Sequence, residues 1–103
     1  GNLLKYLIVL KDSNFNIFEN KLPCILFLID KYKTKKDSEL LNLITLLIEN
    51  FYNKLALNDG NNINNYFTNK NKILYLINDM KKFNLDKKNL LITIDNILKN
   101  EAQ

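Results

Sequence analysis

The groups of this 103-residue chain that could do chemistry are eleven carboxylates, fifteen lysines, one cysteine and two serines, with no histidine and no arginine. The carboxylates are Asp12, Glu19, Asp30, Asp37, Glu39, Glu49, Asp59, Asp79, Asp86, Asp95 and Glu101, scattered along the chain. Without histidine there is no imidazole acid or base, no Cys/His zinc cluster and no Glu-x-x-His di-iron signature. A nucleophile would have to be Cys24, Ser13, Ser38 or a lysine, each without a partner base. Two glycines exclude a glycine-rich phosphate loop. Asn58-Asp59-Gly60-Asn61-Asn62 lacks the carboxylate series of a calcium loop and reads as a plain turn. Cys24, within Pro-Cys-Ile-Leu-Phe, reads as a small core residue. The expectation is therefore no catalytic residue, no cofactor, no metal and no small-molecule substrate.

Charge offers more. Lys31, Lys33, Lys35 and Lys36 place four ammonium groups in six positions, and Lys81, Lys82, Lys87 and Lys88 form a second cluster. A net charge of +4 would ordinarily point to nucleic acid. Lysine, asparagine and isoleucine together are what AT-rich codons supply, so that inference is discounted. Arginine, the best bidentate reader of phosphate and guanine, is absent, and no aromatic residues interleave the clusters for base stacking. Lys31, Lys33, Lys35 and Lys36 read either as a solvated helix connection or as candidates for contact with an acidic protein surface. One cysteine and no glycosylation sequon favour a reducing, cytoplasmic compartment.

The elements that must position these groups are helices. Twenty Leu and twelve Ile recur at helical spacing, while two Gly and one Pro are too few turn formers for a β-sandwich or barrel. A first short helix runs through Leu3, Leu4, Leu7, Ile8 and Leu10, after which Asp12, Ser13 and Asn14 offer N-caps for the next. The second carries Phe15, Ile17, Phe18, Leu22, Ile25, Leu28, Ile29 and Tyr32, and Pro23 predicts a kink or a fresh start after Asn20. Asp37 or Ser38 caps a third, apolar over half its circumference from Leu40 to Leu55 and so expected at the centre. A fourth presents Ile63, Tyr66, Phe67, Ile73, Leu74, Leu76, Ile77 and Met80. A fifth, capped by Asp86, presents Leu90, Leu91, Ile94, Ile97 and Leu98.

These five helices predict a single all-α domain over residues 1–103, an antiparallel stack of armadillo or HEAT type without a strict internal repeat. The longest apolar run, Cys24 to Ile29, is far short of the ~20 residues of a membrane span, and no signal peptide is recognisable. Gly1 reads as a residue left by cloning, and the chain as a fragment of a longer one. Leu26 and Phe27 on the second helix, Leu46 and Leu57 on the third and Tyr75 on the fourth leave the core arcs, either to be covered by a second helical layer or to form an exposed apolar patch. Of these, Leu26, Phe27 and Leu46 are the candidates for an apolar partner contact.

In order, the segments resemble the C-terminal conserved domain of the regulatory subunit of katanin, the microtubule-severing ATPase. Asn2-Leu3-Leu4-Lys5-Tyr6-Leu7-Ile8 is similar to that family's opening Asp-Leu-Leu helix. Leu22-Pro23, followed by an apolar stretch ending in Lys31-Tyr32, is similar to its Leu-Pro helix. Asp37 to Leu55, with Phe51 near its end, is similar to its long Leu-rich helix, and Asn71 to Phe83 to its later Lys-rich one. The specific elements are Leu22-Pro23, Lys31-Tyr32 and Phe51. The Asn-rich linkers and most surface positions depart from the pattern.

The resemblance implies a non-catalytic, armadillo-like regulatory domain in the cytoplasm, on the microtubule cytoskeleton. It would bind the N-terminal domain of the katanin catalytic subunit and support microtubule binding and severing, with WD40 repeats upstream. On that reading the lysine clusters meet acidic surfaces such as the tails of tubulin, and charge reversal at the first cluster leaves the fold intact. The competing expectation is a generic armadillo or HEAT-like scaffold fragment with another helical or peptide partner. A nucleic-acid-binding module ranks third.

Overall fold

The computed structural model describes residues 2–16, 19, 21–83 and 87–101. They form α1 (Asn2–Asp12), α2 (Leu22–Lys35), α3 (Ser38–Asn58), α4 (Ile63–Phe83) and α5 (Lys87–Asn100), with a 3-10 turn at Gly60–Asn62. Helix α3 forms where the sequence is most apolar, and Leu40, Leu41, Leu43, Ile44, Leu47, Ile48, Tyr52 and Ala56 are buried along it. Residues three and four apart share a helix face, but this set spreads beyond one face. Accordingly α3 packs against α1, α2 and α4, while α5 closes onto both α2 and α4. The molecule measures 39 × 33 × 21 Å, so its thinnest dimension is two helix diameters. The all-α class is as expected.

Side-chain contacts fix the helix directions. Lys81, late in α4, donates to Asn42, early in α3, at 3.0 Å, which makes that pair antiparallel. Glu101, just beyond α5, accepts from Asn69, early in α4, at 2.6 Å, and α4 and α5 are antiparallel as well. Tyr52 and Tyr66 share this polar end: Tyr52 donates to Glu101 at 3.4 Å and Tyr66 to Asp59 at 3.1 Å. Asn62 also donates to Asp59, at 2.7 Å. These bonds, from Asn62 first and then Tyr66, hold the Asp59 carboxyl below its usual range.

Helix ends explain where the observed boundaries depart from expectation. Asp12, Ser13 and Asn14 terminate α1 rather than cap α2. Asn14 takes a left-handed backbone (φ 63°), Phe15 N–H donates to Leu10 O at 2.8 Å, and Asn14 N–H donates to Lys11 O at 3.0 Å. That is a Schellman closure, for which asparagine is the best residue after glycine. Helix α2 starts afresh at Leu22, with Pro23 in the first turn, where its missing N–H costs nothing. Phe15 therefore precedes α2 and packs on the core from outside it. The expected helical residues Ile17 and Phe18 and the cap Asp86 lie outside the described residues.

Helix α4 also differs from its sequence pattern. Ile73, Ile77 and Met80 are buried, but Ile63 and Phe67 in its first turns remain exposed. Those turns lie beside the end of α3, where only Tyr52 and Ala56 are buried, so there is little apolar surface to cover. Phe67 instead lies under the Lys70 ammonium, 4.7 Å from the ring centroid.

At the other end, the start of α3 is tied to α1. Asp37 is the N-cap of α3, and its Oδ1 accepts from Glu39 N–H at 2.9 Å. Its Oδ2 accepts from the Tyr6 hydroxyl, also at 2.9 Å. Tyr6 and Leu10 are the buried residues of α1 among those described, so one carboxylate both caps α3 and anchors the first helix.

Asp37→Ala is expected to cost about 1–2 kcal/mol in denaturant unfolding and Tyr6→Phe about 1 kcal/mol. An Asp37→Ala variant as stable as the parent would refute this double role. Burial, with the Glu101 charge second and its hydrogen bond third, pushes the Tyr52 hydroxyl far above its ordinary value. The fold favours the neutral form, so stability is full below the ordinary tyrosine pKa near 10 and falls as pH rises beyond it. Denaturant midpoints between pH 9 and 11.5 should show that loss, reduced in Tyr52→Phe.

Candidate docking groove and basic helix end

The last turns of α2 carry the first lysine cluster, but the helix distributes its members. Lys31 lies over the Phe27 ring, 5.3 Å from the centroid. Lys33 points the other way, to α5, and its ammonium meets Asp95 Oδ2 at 3.0 Å. This pair is partly buried, and Asp95 Oδ1 is buried with no hydrogen-bond partner among the described residues. Lys35 and Lys36 are exposed. Lys36 closes α2 in a left-handed conformation (φ 52°), its N–H donating to Tyr32 O at 2.9 Å. At 100° per residue only Lys31 and Lys35 share a stripe, continuing that of Phe27. Lys33 is part of the fold as well as of the cluster, so reversing all four charges would not leave the fold untouched.

The apolar candidates separate too. Leu26 and Phe27 are partly buried against the core, and the Phe27 ring meets Phe15 at 5.1 Å with the planes tilted by 46°. Leu46 lies half-exposed on a different helix, on the solvent stripe of α3 with Asn42, Asn50, Asn53 and Leu57. Leu57 is 87% exposed and Tyr75 68% exposed, as their displacement from the core arcs predicts. Leu4 and Ile8, one turn apart on α1, are also exposed. In the second cluster Lys81 is bound to Asn42, Lys82 and Lys88 are exposed, and the Lys87 side chain lies outside the described set.

Between the N-terminus of α2 and the C-terminal half of α3 lies a groove of about 330 Å³. Its floor is Leu22, Pro23, Phe51 and Leu55, and its rim is Glu19, Lys21, Lys54 and Asn58. The antiparallel pairing of α2 with α3 creates it, by bringing residues 22–23 beside residues 51–58. The Phe51 ring is held edge-on to Tyr52, with centroids 5.4 Å apart. On the rim, Lys21 meets Glu19 Oε2 at 3.1 Å and Lys54 donates to the Glu19 carbonyl at 3.4 Å.

Leu22, Phe51 and Leu55 read as core from their spacing, yet all three are only partly buried. The available signal was the proline that fixes where α2 begins: Phe51 and Leu55 lie within the apolar arc of α3, near its end, opposite that start. Cys24, by contrast, is buried, and burial pushes its thiol up, away from the reactive thiolate. Among the described residues no group of three potential ligands could hold a metal ion, and no helix is long and apolar enough to cross a membrane.

Lys33→Glu would set a carboxylate against Asp95 and is expected to destabilise the domain by roughly 1–3 kcal/mol, between the costs for exposed and for buried pairs. The double variant Lys35→Glu/Lys36→Glu should change stability by less than about 1 kcal/mol. Equal thermal midpoints for both variants would overturn the assignment of Lys33. No known protein family, curated protein or solved structure matches this chain.

Proposed function

We propose that this chain is a non-catalytic docking domain of katanin regulatory-subunit type. It binds the N-terminal helical domain of the katanin ATPase subunit and helps hold the complex on microtubules in the cytoplasm. The observation that carries the reading is a convergence. Leu22-Pro23 and Phe51, two of the specific elements of the sequence resemblance, are 28 positions apart and line one open apolar groove. Partly buried apolar side chains beside water favour a protein partner, because covering them removes apolar surface from solvent. The nucleotide chemistry belongs to the partner subunit. In the same reading the helices are an armadillo-like stack, and the exposed Lys35 and Lys36 face the acidic surface of tubulin.

A second reading, a helical scaffold fragment with another helix or peptide ligand, is favoured by Leu4 and Ile8. Their exposure on the outer face of α1 suits a further stacked helix. WD40 repeats upstream in the gene support the first reading, and further helix pairs the second.

Calorimetry with the N-terminal domain of a katanin catalytic subunit is expected to give saturable binding, and no heat at tens of micromolar would sink the proposal. In microtubule co-sedimentation, Lys35→Glu/Lys36→Glu should lower the bound fraction without altering the circular dichroism spectrum. Unchanged sedimentation returns these lysines to solvated surface.

A further inference from the structure

The groove between α2 and α3 also constrains the chemistry of what fills it. Its floor is apolar and open to solvent, and at about 330 Å³ it is no larger than the smallest ligand pockets. An open trough of this size suits side chains presented by a passing helix better than an enclosed metabolite. The rim carries two ammonium groups, Lys21 and Lys54, against the single carboxylate of Glu19. One positive charge is left over. Helix α2 adds to it: its first turn has no acidic residue, and Lys21 at its N-cap makes no side-chain hydrogen bond to the helix. A helix N-terminus of this kind carries partial positive charge. Among the described residues nothing else on the rim is acidic, since its remaining member is Asn58.

We infer that the groove is the seat of a partner helix that places a large apolar side chain between Leu22, Phe51 and Leu55 and a carboxylate against Lys21 and Lys54. This rests on the docking-domain reading and deepens it by naming the charge and shape of the contact. A second copy of the chain is a poorer occupant: with +4 net charge, apposing two identical grooves would bring the same lysine-rimmed surfaces together.

The test is a nuclear magnetic resonance titration of the isotope-labelled chain with two synthetic amphipathic helices. The two have equal length and the same Leu face, one carrying Glu and the other Lys on its polar face. The Glu peptide should shift the amides of residues 21, 22, 24, 25 and 51–58 saturably and bind about tenfold more tightly than the Lys peptide. Raising salt should narrow that gap. Lys54→Glu, at an exposed position, should reverse the preference while keeping the parent spectrum elsewhere. Equal affinity for both peptides, shifts centred on other residues, or no shift at about 1 mM peptide each overturn the inference. Concentration-dependent shifts at the same amides without peptide would assign the groove to self-association and overturn it as well. The ATPase-subunit domain separates this from the broader reading. If it binds the parent and Lys54→Glu alike, the groove assignment fails alone; if the Glu peptide binds in the groove but that domain does not, the katanin reading fails alone.

Discussion

An apolar arc wider than half a helix circumference cannot be hidden by a single neighbour, and α3 carries such an arc through most of its 21 residues. Covering it requires helices on several sides, and the sequence supplies them cheaply. A two-residue link (36–37) returns the chain from α2, and the short 59–62 turn sends it back into α4, so both flanks are covered by antiparallel neighbours. Helix α1 covers what remains near the start of α3, where Asp37 serves as cap and anchor at once. Helix α5 then fills the space left between α2 and α4. Fully buried Leu10, Ile25, Ile48, Tyr52, Ile73 and Leu98, contributed by all five helices, meet in one core around this arrangement.

Much of this is written locally and could be read in advance. The central place of α3 follows from spacing, as does the departure of Leu46, Leu57 and Tyr75 from the core arcs; the choice of Asp37 over Ser38 as cap, and of exposure over a second helical layer, is decided only in the structure. Asp12 to Asn14 could not be read the same way. Short polar residues stop one helix as readily as they start another, and only the left-handed backbone at Asn14 decides between the two. Distance along the chain hides the rest. Nothing near Lys33 announces Asp95, 62 positions away, and nothing near Leu22 announces Phe51. The exposure of Ile63 and Phe67 is a limit of another kind, because periodicity shows which face a residue shares, not whether a neighbour reaches that far.

The candidate site illustrates that division. Lysines adjacent in sequence are parted by the helical turn, so Lys33 braces α5 while Lys35 and Lys36 look to solvent. Leucine and phenylalanine far apart in sequence are joined by helix pairing into a groove. Clustering along the chain is a poor guide to clustering on a helical surface. The place where one antiparallel helix begins beside its neighbour's last turns is a better one, since apolar residues of both line the cleft left there.

The clasp between Lys33 and Asp95 bears on how the domain assembles. Contacts of α2 with α3, α3 with α4 and α4 with α5 join consecutive helices, whereas α2 with α5 closes a span of about sixty residues. Loop closure of that length carries an entropic cost that the hairpins avoid. The three hairpins are thus contacts of low sequence separation, and the pairing of α2 with α5 is the long-range one that closes the ring. A half-buried ion pair that leaves Asp95 Oδ1 without a hydrogen bond is a weak final fastening. Along the seam between α2 and α5 the chain thus meets itself at a sequence separation that none of the three hairpins spans, and a partly buried ion pair joins the two edges there.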